Sequence, residues 1–147
     1  MKLVISQIIS IFYFLTCASS FSQEEKILGY KIEGDDIVFV FDISNYNRIT
    51  SDDVGSINDF DDLNIKEVIV SGQFNDWTRD KWKMKKIGVN TFELRKKIAD
   101  FTNEFSWEFK FLINGKYWAE PNDNIANIAP AKTPSGSPLN VYNLKFY

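Results

Sequence analysis

Past residue 27 the chain repeatedly alternates apolar and polar residues with a period of two, the signature of half-buried β-strands rather than helices. Residues 27–33 and 37–43 flank Gly34-Asp35-Asp36 and predict a hairpin. In its second strand Ile37, Phe39, Phe41 and Ile43 share one face, and Val38, Val40 and Asp42 share the other. Such a strand is buried on both sides at its start and half-exposed at its end. Residues 91–98 set Phe92 and Leu94 on one face. The cleanest alternation is Phe105, Trp107, Phe109, Phe111 and Ile113, which leaves Glu108, Lys110 and Leu112 opposite. Lys110 is therefore expected to reach solvent from a central strand. Residues 139–146 give a last strand, with Leu139, Val141, Asn143 and Lys145 on one face and Asn140, Tyr142, Leu144 and Phe146 on the other.

Two stretches break the pattern. Residues 44–64 are acidic, with Asp52, Asp53, Asp59, Asp61 and Asp62 against Arg48, and predict a solvated connecting insertion. A calcium loop is the sharper alternative there, but the spacing lacks the glycine and late glutamate of the EF-hand loop. Residues 120–138 hold all four prolines, Pro121, Pro130, Pro134 and Pro138. Proline cannot donate to a ladder, so this stretch predicts a loop. Residues 78–86 are basic, and Trp82 and Met84 alternate there with lysines, predicting a short strand with Trp82 turned inward; ligand contact by Trp82 is the alternative. About seven strands with turn signals between them, and no long helix, predict an all-β chain folded as an immunoglobulin-like β-sandwich. A chain of 147 residues has room for one such domain.

The first residues stand apart from that domain. Lys2, a run over residues 8–15 that is apolar apart from Ser10, and the small residues Ala18, Ser19, Ser20 and Ser22 predict a signal peptide over 1–22, with the mature domain at 23–147. The apolar run falls short of the roughly 20 residues that span a bilayer, so no membrane span is expected, and a retained anchor is the second-ranked alternative. The expected location is periplasmic or secreted. Cys17, the one cysteine, reads as an ordinary signal-peptide residue; the alternative is a lipid anchor at Cys17, although Leu15 lies one place late for that consensus. Loss of Lys2 leaves sixteen basic residues against twenty acidic ones, a net charge of −4. That sign gives no electrostatic reason to attract nucleic acid or anionic lipid.

Candidate chemistry lies in two turns. Val68-Ile69-Val70-Ser71-Gly72-Gln73-Phe74-Asn75-Asp76-Trp77 reads as a strand entering a tight turn that ends on an indole. Gly72 is expected to supply unusual backbone angles, Phe74 to anchor the core, and Asn75 and Asp76 to build the turn. Phe109-Lys110-Phe111-Leu112-Ile113-Asn114-Gly115-Lys116-Tyr117-Trp118 gives a second strand, an Asn-Gly hairpin turn and a second indole. Indole faces suit the apolar C–H surface of a sugar ring, and lysine and asparagine suit hydroxyls at its edge.

These motifs, in this order over residues 66–146, resemble the glycogen-binding modules of carbohydrate-binding family 48. Such modules occur in the β-subunit of AMP-activated protein kinase and before the catalytic domains of starch-branching and debranching enzymes. The family pattern is Gly-x-Phe-Asn-x-Trp after a hydrophobic strand, Tyr-Lys-Phe before a Gly turn, an aromatic after it and a late asparagine. Here Phe-Lys-Phe replaces Tyr-Lys-Phe. The resemblance implies the same sandwich and a carbohydrate site at Trp77, Lys110, Trp118 and Asn140. One extra residue before Trp118 leaves Tyr117 as the alternative second aromatic, and Asn143 is the alternative late asparagine. Pro134-Ser135-Gly136-Ser137 stands where the family has a leucine-bearing loop.

The implied function is non-catalytic recognition of α-glucan: glycogen, starch or maltodextrin. A separate glucan-active enzyme is a further partner compatible with that role. The alternative is a protein–protein interaction module on the same fold that has lost sugar binding. The chain has no histidine, which removes Ser-His and Cys-His nucleophiles and histidine metal sites. A two-carboxylate glycosidase is compatible with the composition alone, but no groove-forming catalytic domain fits in the chain. No enzyme activity, cofactor or metal is expected.

Overall fold

Two antiparallel sheets pack face to face in a β-sandwich. The computed structural model describes residues 28–51, 55–57, 63–101, 106–132 and 138–145. Among these, the smaller sheet contains β1 (Tyr30–Glu33), β2 (Asp36–Asp42), β6 (Lys85–Lys86) and β7 (Thr91–Lys97), in the order β1-β2-β7-β6. The larger contains β3 (Ile49–Ser51), β4 (Gly55–Ile57), β5 (Val68–Gly72), β8 (Ser106–Ile113), β9 (Tyr117–Ala119), β10 (Ile128–Lys132) and β11 (Pro138–Lys145). No helix among the described residues is long and apolar enough to cross a membrane. Residues 1–22, with Cys17, lie outside the described residues.

The predicted alternation sets the inner faces. Ile37, Phe39 and Phe41 of β2 face Phe109, Phe111 and Ile113 of β8, joined by Val68 and Val70 of β5 and Tyr142 and Leu144 of β11. Phe39 lies at the centre of an aromatic cluster, its ring 5.2–6.4 Å from those of Phe74, Trp82, Phe101 and Phe109. Each such ring contributes about 1.5–3 kcal/mol by leaving water. Trp82 turns inward as expected and stacks on Phe74 at 4.8 Å. Its stretch forms only a bridge of Lys83 to Ile69 before reaching β6.

Two expectations need correction. The 44–64 insertion is more than a connection: β3 and β4 pair with each other, and β3 continues the large sheet beside β9. Residues 120–138 likewise contain β10, which pairs with β11 through five residues including Pro130. Proline is tolerated there because β10 is an edge strand, where no outer neighbour needs its missing N–H. These strands, with the short return β9, raise the count from about seven to eleven among the described residues.

The spine of the large sheet is β8. Along one edge it pairs with β5 from Phe109 to Ile113. Its other edge is divided: β11 takes residues 106–109 and β9 takes 112–113. The two partner strands part at Lys110 and Phe111.

Candidate functional site

The first indole is delivered by the turn after β5. Gly72 has φ −169° and ψ −176°, extended angles open to any residue, so the expected reason for this glycine is wrong. The constraint is space: a Cβ there would lie 2.5 Å from the Glu108 carbonyl oxygen and 2.7 Å from Phe109 Cβ. Gln73–Asn75 then form one 3-10 turn. Asn75 builds it as expected, its Oδ1 accepting from the Gly72 N–H at 2.9 Å and its Nδ2 donating to the Val70 carbonyl at 3.0 Å. Gln73 Oε1 accepts from the Glu108 N–H at 2.7 Å, which ties the turn to β8. Phe74 points into the aromatic core.

Asp76 and Trp77 both have left-handed backbones, φ 54° and 53°, and neither is glycine. Each such residue costs about 1–2 kcal/mol. The Trp77 N–H donates to the Gly72 carbonyl at 2.9 Å, which closes the turn. The indole ends 37 % exposed. Strain is not confined to this place, because Trp82 in the core has φ 45°.

The second indole depends on hairpin register. Asn114 and Gly115 have φ 51° and 68°, and the Lys116 N–H closes the turn on the Ile113 carbonyl at 3.0 Å. Pairing resumes with Ile113 opposite Tyr117 and Leu112 opposite Trp118, leaving three residues in the loop. Cross-strand partners share a face. Tyr117 thus joins Ile113 against the core, and Trp118 stands on the outer face. A strict two-residue Asn-Gly loop would have reversed them.

Trp77 and Trp118 meet edge to face, with ring centroids 6.5 Å apart and planes at 77°. The Arg79 guanidinium lies 5.2 Å from the Trp118 ring centre, and its Nη2 donates to the Gly115 carbonyl at 3.3 Å. Arg79 thereby fastens the turn carrying Trp77 to the hairpin carrying Trp118.

Lys110 and Asn140 do not join this outer-face pair. Lys110 does point to the outer face, but it is only 3 % exposed and its Nζ bonds Glu120 Oε1. Burial pulls its pKa below the usual lysine value, against the opposing pull of Glu120. Glu120 is fully buried. Its Oε1 also accepts from Thr50 Oγ1 at 2.7 Å, and its Oε2 accepts from the Asn140 N–H at 3.2 Å. Asn140 Nδ2 donates to the Pro121 carbonyl at 3.1 Å and to Asp123 Oδ1. The expectation that Lys110 reaches solvent therefore fails, and Asn140 is committed to a loop. The backbone of Asn143 pairs with Glu108.

Sequence reasoning missed Arg79, Glu120 and Thr50. A signal existed for Asn140, since its parity with Tyr142 and Leu144 put it on the core side. No comparable signal marked Glu120, one acidic residue among twenty.

No group of three or more histidine, cysteine, aspartate or glutamate side chains gathers among the described residues. Asp52, Asp53, Asp59, Asp61 and Asp62, and residues 134–137, lie outside them. No family model matches the chain, and no curated protein matches it significantly.

Proposed function

We propose that this protein is a non-catalytic α-glucan-binding module whose stacking surface is Trp77 with Trp118. The observation that carries the proposal is the pair itself: two indoles from separate turns brought together on the outer face, with Trp77 the more open to solvent. An aromatic face in water is costly and a sugar's C–H face covers it well. The 77° between the planes favours a chain that turns from one residue to the next, as α-linked glucose does, because two such rings cannot both lie flat on a straight, ribbon-like glucan.

In this reading Lys110 is buried beneath the site, Asn140 holds the loop after β9, and Arg79 lies over the Trp118 ring. The signal-peptide pattern of residues 1–22 supports, in this reading, a place outside the cytoplasm. The test is native gel electrophoresis with and without glycogen in the gel, running wild type beside Trp77→Ala. Retardation of the wild type that Trp77→Ala abolishes is the expected result. A folded wild type that neither glycogen nor soluble starch retards overturns the proposal and directs the search to a protein partner for the same aromatic surface.

A further inference from the structure

We propose that the buried Lys110–Glu120 pair is the positioning element of the indole site, fixing β9, and with it Trp118, in the fork of the large sheet. Three observations meet at the fork. Phe109 pairs with both Gly72 and Tyr142, and Leu112 with both Ile69 and Trp118, so β11 and β9 share one edge of β8 and separate at residues 110–111. Strand β9 is held to β8 by only two residue pairs. Glu120, immediately after β9, puts its carboxylate among Lys110 of β8, Thr50 of β3 and the Asn140 N–H of β11.

Thr50 is also the residue directly opposite Trp118 on β3. One carboxylate thus binds the residue opposite Trp118 on β3 and, on β8, Lys110, two residues from Trp118's other partner Leu112, and it anchors the chain two residues beyond Trp118. Apolar packing fills space without fixing direction, whereas these bonds need both charge and geometry to be right. A buried ion pair adds little net stability relative to an apolar pair of equal volume, so its presence at this fork points to placement.

The ligand arm of the test rests on the glucan reading, and the spectroscopic arm does not. Closely spaced, steeply inclined indoles couple their electronic transitions and give a signed pair of far-ultraviolet circular dichroism bands, which Trp77→Ala identifies by removing. The full chain carrying Lys110→Met with Glu120→Leu is compared with wild type for that couplet, for glycogen retardation and for thermal unfolding. Cooperative unfolding, a diminished couplet and retention weakened by about tenfold, the scale of one misplaced stacking contact, are expected. Arg95→Gln, which breaks an ion network on the opposite sheet, must leave the couplet unchanged.

An unchanged couplet and unchanged retention in the double variant overturn the proposal, as does equal loss of the couplet in Arg95→Gln. If the wild type ignores glycogen while its couplet still depends on the pair, the positioning role stands and the glucan reading falls. Should the double variant not fold, Glu120→Gln decides by the couplet, with loss supporting the role and retention refuting it.

Discussion

At Gly72 the side chain can be no larger than a hydrogen atom, because β8 passes close enough that a Cβ would press on the Glu108 carbonyl oxygen and on Phe109. Gly72→Ala is expected to destabilise the fold by about 1–3 kcal/mol, the range of overpacking in a rigid interior. Urea denaturation checks this, and an unchanged midpoint would contradict it. The sequence placed this glycine correctly and gave the wrong reason, since composition cannot separate a need for unusual angles from a need for room. Lys110 repeats the lesson. Period-two parity gave its face, but its cover comes from Glu120, ten residues later and across a turn. Trp118 and Tyr117 were unresolvable from parity alone, because one residue of loop length exchanges them.

The longer strands were legible at the level of elements, and the short ones were not. Strand β8 alternates almost throughout its eight residues, β2 carries a five-residue apolar run, and β11 is eight residues long. Strands β3, β4 and β9 have three residues each, and their identity lies in their partners rather than in their own pattern. The hairpin β1–β2 and strand β7 also carry a charge network that the sequence did not announce. Lys31 and Arg95 stand opposite the buried Val38, and ion pairs join Lys31 to Glu33, Arg95 to Glu33 and Asp36, and Lys97 to Asp36. Lys31 first and then Arg95 hold Glu33 below its ordinary pKa, while Lys97 first and then Arg95 do the same for Asp36.

A carboxylate with a lowered folded-state pKa binds fewer protons folded than unfolded. Its stabilisation is complete above the ordinary values, 4.5 for Glu33 and 3.8 for Asp36, and is lost as the pH falls through the lowered ones. These groups are partly exposed and screened by solvent, so the effect is modest. Melting curves of wild type and Arg95→Gln are expected to differ most at neutral pH and to converge down the acid limb. A difference that stays constant on acidification would contradict this role.

At the scale of the molecule, the two outer faces differ in character. The small sheet presents paired charges, and the large sheet presents two indoles above a buried ion pair. That division was legible only in part: the motifs named Trp77 and Trp118, but bringing them together required the Arg79 link and a three-residue hairpin loop. A stacking site for an uncharged ligand is insensitive to ionic strength, because screening acts on charges.

Isothermal titration of the protein with maltodextrin and with a cello-oligosaccharide, at low and high sodium chloride, tests the central claim most directly. Saturable binding of maltodextrin alone, equal at both salt concentrations, is the predicted result. Equal binding of both sugars would contradict the inclined indole pair as an α-glucan surface, and binding of neither would contradict carbohydrate recognition itself.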